Sequence, residues 1–472
     1  MLRRISALYL LAFAVATLII TSGTVKGQDG LEPLTTSVSG VVAFDPQRYA
    51  RPAGLALPGP AAITNVNTTN NTLAQNETTI TVHPTNVNNV VGGVNDYRSS
   101  PSGDVNCGYT RSSDGGLSWS SGIIQGVTQG NGGPFDYDAA GDPTVYYAGD
   151  GAVHFVCLGF DRTYGRSALV AVKSTDNGAT WTTPVAIVQS NSSNTFHDKE
   201  MLTIDTTASS PYYGRLYVAW TQFTGFFTTS RVYVAYSADG GTTWSLPILV
   251  SGSHTSVQGA HPAAGPDGAV YVTWCSPCSG SARIYVNKSS NGGATWGAPV
   301  QAASLTGLPS PLTGNLFRVN NFPTAAVDQA NGTIYVTYAD YAAGNADVML
   351  VRSTDQGATW SAPVRVNSRP QDDQFFQWMD VAANGVIWIC YYDQSWNATN
   401  WLDVSCSRST NQGISFRRAG RATTQSSNPA NDGFGGTFIG DYNGLSVGSN
   451  NQPRALWTDT RAGNAEAYTA NP

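Results

Sequence analysis

Charge is what this chain has least of: only 12% of its 472 residues are Asp, Glu, Lys or Arg, against about a quarter in an ordinary soluble protein. Glutamate occurs only at Glu32, Glu77, Glu200 and Glu466, and lysine only at Lys26, Lys173, Lys199 and Lys288. That scarcity of strong helix formers excludes helical bundles and coiled coils. Beyond the N-terminus no Lys/Arg cluster exists and the formal net charge is −6, so nucleic acid is excluded as a partner. After the apolar run over residues 5–20 there is no second long hydrophobic stretch, which predicts no stable membrane insertion once that run is removed. No Gly-x-Ser-x-Gly elbow lies between a strand and a helix, so a Ser-His-Asp hydrolase finds no support.

What is present is apolar, aromatic and turn-rich: 41% hydrophobic, 11% aromatic, 50 glycines and 12 tryptophans. Abundant Thr, Val, Tyr and Trp with few helix formers predict an all-β fold. The start, Met1-Leu2-Arg3-Arg4 followed by the apolar run, reads as a secretory leader cleaved after Gly27. The chain is therefore expected to be secreted. Six cysteines in an exported chain are expected to pair, in any of fifteen connectivities. Cys275 and Cys278 read as a local disulfide, and Cys390 and Cys406 flank neighbouring strand patterns.

One octapeptide recurs six times, from Ser112-x-Asp114-x-Gly116-x-Ser118-Trp119 to the degenerate Ser409-x-Asn411-x-Gly413-x-Ser415-Phe416. Its final aromatics stand at 119, 181, 244, 296, 360 and 416. A period near 60 with turn chemistry in each copy is the mark of an array of four-stranded units. Asp or Asn can bond the N–H groups of its own turn, Gly supplies positive φ, and the aromatic ring packs on the neighbouring sheet. The repeated aspartates are structural.

This pattern resembles the Asp-box (BNR) repeat of sialidases and related β-propellers, over roughly residues 70–470. The resemblance implies four-stranded antiparallel blades. Seven inner-strand pairs can be aligned against six Asp boxes, so seven blades are favoured, with six as the alternative. After the seventh pair the chain offers only one more strand, and an N-terminal strand such as Val41–Phe44 is expected to close the ring. The expected layout is a signal peptide over residues 1–27, an arm or linker over 28–70 and the propeller over 71–472.

In such a blade the inner strand starts and the second strand ends on one face, opposite the Asp boxes. The seven starts form a ring that reads Glu77, Asp142, Glu200, His261, Phe322, Gln377 and Asp441. Crowded carboxylates push one another's pKa upward, which suits a general acid beside an ionised base. The same oxygens could instead hold Ca²⁺, or merely cap strand ends. No cofactor is otherwise called for and no metal ligand set is assigned.

The sialidase resemblance makes Tyr442, in Asp441-Tyr442-Asn443-Gly444-Leu445, the nucleophile with a glutamate as its base, and Asp104 the acid/base residue. Glu77, Glu200 and Asp441 complete the catalytic set. Arg98, Arg318 and Arg461 would hold the substrate, with Asp142 and His261 nearby. Two departures stand out: the family's first arginine is replaced by Asn76-Glu77-Thr78, and His261-Pro262 stands for its Glu-Pro, so Glu200 must substitute from another blade. The expected function is that of an extracellular, sialidase-like glycoside-active propeller acting on a glycan or glycoprotein. The alternative is a non-catalytic propeller that binds a glycan or protein on the channel face, where Trp378 could stack a sugar ring.

Overall fold

The computed structural model describes residues 63–98, 104–162, 165–397 and 400–471. Twenty-eight strands form seven four-stranded sheets, each antiparallel throughout. The first six blades run in chain order from the inner strand outward, beginning with Gln75–Val82, Ala139–Tyr147, Thr195–Ile204, Gln258–Ala264, Thr324–Val327 and Gln374–Val381. The seventh consists of Gly444–Val447, Pro453–Asp459 and Glu466–Asn471, and its outermost strand is Thr64–Asn67 from the other end of the chain. Thr64 pairs with Asn471 and Asn67 with Tyr468. An N-terminal strand thus closes the ring, completing the last blade with a segment from the other end of the chain. The stretch Val41–Phe44 and the leader lie outside the described residues.

This closure also explains the count of repeats. The Asp-box hairpin joins the third strand of a blade to its fourth. In the seventh blade the fourth strand arrives from elsewhere, so no hairpin and no Asp box is needed there. In the first box the Ser112 hydroxyl donates to Asp114 Oδ1 at 2.7 Å, and the Ser118 N–H and hydroxyl donate to Asp114 at 3.0 and 2.5 Å. The Trp119 indole N–H donates to the Gly116 carbonyl at 3.1 Å. Trp181, the equivalent ring of the second blade, lies edge-on to Tyr109 of the first. The repeat therefore ties a turn and a blade-to-blade contact together.

All six cysteines are bonded. Cys390–Cys406 joins directly paired strands, Cys275–Cys278 spans a hairpin, and Cys107–Cys157 ties the first blade to the second.

Candidate functional site

Five of the seven inner strands carry a β-bulge near their first residues. Each holds one residue in the left-handed region: Glu77 (φ 52°), Asp142 (φ 54°), Lys199 (φ 54°), Gly259 (φ 69°) and Phe376 (φ 50°). A bulge breaks the alternation of the strand and re-aims one side chain. For non-glycine residues this backbone is uncommon and costs energy, and such positions gather at functional sites. Here three of them, from three consecutive blades, aim their charges at one another.

Lys199 is the hub. Its Nζ lies 2.9 Å from Glu77 Oε1, 3.3 Å from Asp142 Oδ1 and 2.8 Å from Asp441 Oδ2. Arg318, from the segment before the fifth blade, grips Asp441 with both arms, Nε to Oδ1 at 2.8 Å and Nη2 to Oδ2 at 2.5 Å. Asn95 joins the first two blades: its Nδ2 donates to Glu77 Oε2 at 2.9 Å and its Oδ1 accepts from the Asp142 N–H at 2.7 Å. Gly440 makes the seventh blade fit. A Cβ there would sit 2.7 Å from the Glu77 nitrogen, and its φ of +90° suits glycine alone.

The electrostatics follow from burial. Burial, and then the negative charge of Asp142, hold the Glu77 carboxyl well above its ordinary pKa. For Asp142 burial acts upward, but the Lys199 ammonium and a hydrogen bond with Glu77 leave it below its usual value. Asp441 is likewise buried yet held far down by Arg318 and Lys199. Burial pulls the Lys199 pKa down, but the carboxylates around it, Asp142 first, push it well above its ordinary value. Two cations thus face three buried carboxyls, of which Asp142 and Asp441 are held low and Glu77 is held high. Charge-assisted contacts of this kind are short and geometrically fixed.

The structure brings Glu77, Asp142, Asp441, Tyr442 and Arg318 together. Tyr442 is buried, its hydroxyl donates to the Pro143 carbonyl at 3.3 Å, and its ring centre lies 5.6 Å from Lys199 Nζ. Burial and the charges of Glu77 and Asp142 push its phenol pKa well up. Glu200 is adjacent but differently placed. The register pairs Asp198 with Thr221 and Met201 with Ala219, so Lys199, not Glu200, is the equivalent of Glu77 and Asp142. The ring read from sequence is one residue out in this blade and in the sixth, where Phe376 rather than Gln377 holds the place, and two residues out in the fourth, where Gly259 rather than His261 holds it. Glu200 is fully buried, both its oxygens lack a hydrogen-bond partner among the described residues, and burial with the charge of Asp142 raises its pKa well above the ordinary value.

The three-arginine clamp does not assemble. Arg98 sits on Asp96 (3.0 Å) and donates to Ser121 at 2.8 Å on the outer strand of its blade. Arg461 grips Asp459 at 2.9 and 2.6 Å. In both cases an aspartate two residues earlier, at the strand exit, captures the guanidinium before it can reach the channel. Asp104 is taken by Arg162, with Nε to Oδ2 at 2.8 Å. His197 is a core acceptor for the Trp220 indole N–H at 3.1 Å. His261 accepts from the Ala325 N–H at 3.3 Å, and burial lowers its pKa to about 4.

Beside the charged knot a pocket opens whose lining includes Lys199, His261, Phe322, Trp378, Asp441 and Tyr442. The His261 and Trp378 rings meet edge-on at 5.1 Å. A divalent cation fits this site poorly, since an ammonium already holds the position between the three carboxylates, and among the described residues no group of three His, Cys, Asp or Glu is disposed for a metal. Lys199 and Asn95 are the residues that sequence reasoning missed. The available signal was a rare lysine inside His197-Asp198-Lys199-Glu200 at the start of an inner strand.

Residues 135–373, just over half of the sequence, match the family of BNR repeat-like domains. The chain belongs to this family. Together with the seven blades, that makes it a sialidase-like BNR β-propeller. No curated protein matches the sequence. Among solved structures it resembles a sialidase from Trypanosoma rangeli at 13% identity, covering 84% of this chain and 55% of that one, with a TM-score of 0.47. An α-L-arabinofuranosidase from Fusarium graminearum matches at 14% identity over 71% and 92% of the two chains, TM-score 0.48. An ulvan lyase matches at 12% identity over 86% and 95%, TM-score 0.49. These likenesses are of fold.

Proposed function

We propose that this BNR propeller is secreted and binds a glycan at the channel mouth, without hydrolysing it. The observation that carries this reading is the pocket in which aromatic rings stand beside Lys199 and Asp441, two charges already paired and buried. Aromatic faces cover the apolar side of a sugar ring, and polar groups fixed in advance lose little freedom when they bind its hydroxyls. Tyr442 is a poor nucleophile in this setting, because its proton is tightly held and its hydroxyl is committed to Pro143. The absence of a three-arginine clamp among the described contacts argues against a sialic acid carboxylate as the recognised group. The leader-like N-terminal sequence and three disulfides support an oxidising, extracellular setting.

A glycan array followed by calorimetry tests this. Trp378→Ala is expected to lower affinity roughly tenfold or more, with no sugar released by the wild type. Turnover of any bound glycan would remove the binding-only reading. It would favour a second one, glycoside hydrolysis, for which the buried carboxyls of Glu77, Asp142 and Asp441 gathered around Lys199 beside the pocket are the specific support.

A further inference from the structure

The hairpin between the second and third strands of the third blade, Leu216–Thr224 and Thr229–Ser237, reads Gly225-Phe226-Phe227-Thr228. Its first three residues all have positive φ: 63°, 54° and 67°. Glycine takes that backbone freely, whereas two successive phenylalanines do so only at a cost. The result is that Phe226 stands 74% exposed at the tip. Phe227 turns back onto Phe223 and Phe196, with ring centres 5.2 and 5.6 Å away, and Phe196 meets Phe160 of the second blade at 6.0 Å. Strained backbone thus holds the Phe226 ring exposed at the tip, while its neighbour Phe227 is braced by Phe223 and Phe196.

Its position ties it to the mouth. Phe196 lies on the same inner strand as Lys199, three residues nearer the strand start. The register pairs Thr195 with Thr224, so the hairpin lies at the same end of the blade as the start of the inner strand that carries Lys199. Arg162 covers Phe160 at 5.0 Å while paired with Asp104, and the Thr228 hydroxyl donates to the Gly225 carbonyl at 2.8 Å. Flat aromatic faces beside paired polar groups suit the faces of sugar rings better than they suit lipid tails.

We infer that the mouth takes a polysaccharide chain rather than a terminal sugar, and that the Phe226–Phe227 hairpin is a second platform on which the chain stacks after leaving the pocket. This rests on the glycan reading above and adds the class of ligand. Binding is measured by affinity electrophoresis and calorimetry with arabinan, xylan and galactan, each as polymer and as disaccharide. Phe226→Ala is expected to weaken polymer binding roughly five- to tenfold and to leave the disaccharide unchanged. Phe226→Trp retains the polymer, and Trp378→Ala weakens both ligands. Polymer and disaccharide binding that both ignore Phe226→Ala overturns the second platform and leaves the pocket standing. No binding of any probe by the wild type overturns the glycan reading itself. Capture of phosphatidylcholine vesicles that Phe226→Ala abolishes would reassign the hairpin to a lipid surface and overturn the inference.

Discussion

The two faces of the propeller use aspartate in opposite ways. On the Asp-box face, Asp114, Asp176, Asp239 and Asp355 are solvent-exposed and each is bonded by Ser or Thr of its own turn. Those bonds lower the carboxyl pKa, to about 2 at Asp176, Asp239 and Asp355. On the mouth face, Asp142 and Asp441 are buried, and their partners come from other blades. A local, repeated aspartate is interchangeable with its copies; a convergent one is singular. Damage should therefore be graded on one face and abrupt on the other.

The largest effect is expected at Lys199. Lys199→Met leaves ionised Asp142 and Asp441 buried without their shared cation, and removing one partner of a buried pair costs about 3–5 kcal/mol. Urea unfolding would read that loss; a change below about 1 kcal/mol would mean that the knot relaxes into water. Cutting the tie between blades with Cys107→Ser and Cys157→Ser should cost about 4 kcal/mol for a closed loop of this size. Scanning calorimetry under oxidising conditions checks it.

Glu200→Gln is expected to act the other way. Its carboxyl is held above the ordinary value of 4.5, by burial first and by Asp142 next. Below pH 4.5 both folded and unfolded chains carry the proton and nothing is lost. As pH rises past that value the unfolded chain releases the proton and the folded one keeps it, so stability falls. Glutamine carries no such penalty, so the variant should melt a few degrees higher at pH 8 and show no advantage near pH 4. Melting curves at the two pH values decide it. The smallest effect belongs to a single Asp box: Asp239→Ala should cost about 1 kcal/mol, and a much larger loss would break the contrast between the faces.

The legible part of the molecule was its local part. Each Asp box is complete within eight residues, so Ser112 to Trp119 announces its own turn. The seven inner-strand pairs followed from alternation, and the chain's shortage of strands at its end called for closure from the N-terminus. Glu77, Asp142 and Asp441 were found because a propeller brings equivalent strand starts to one mouth. Lys199 was passed over because nothing in Asp198-Lys199-Glu200 marks which residue takes the first bulge position that Glu77 and Asp142 hold in their strands. Arg98 and Arg461 were misplaced for a related reason: whether an arginine reaches the channel or turns to an aspartate two residues back depends on rotamers and neighbours.

The sequence by itself determined the blade, its turns and their number, since these rest on hydrogen bonds between residues close in the chain. Only the tertiary structure decided which charges meet, which carboxyls have their pKa raised and which aromatic rings face the mouth. Those depend on burial and on distances of a few ångströms between residues hundreds of positions apart, and a one-residue difference in which position meets the bulge is enough to exchange a glutamate for a lysine.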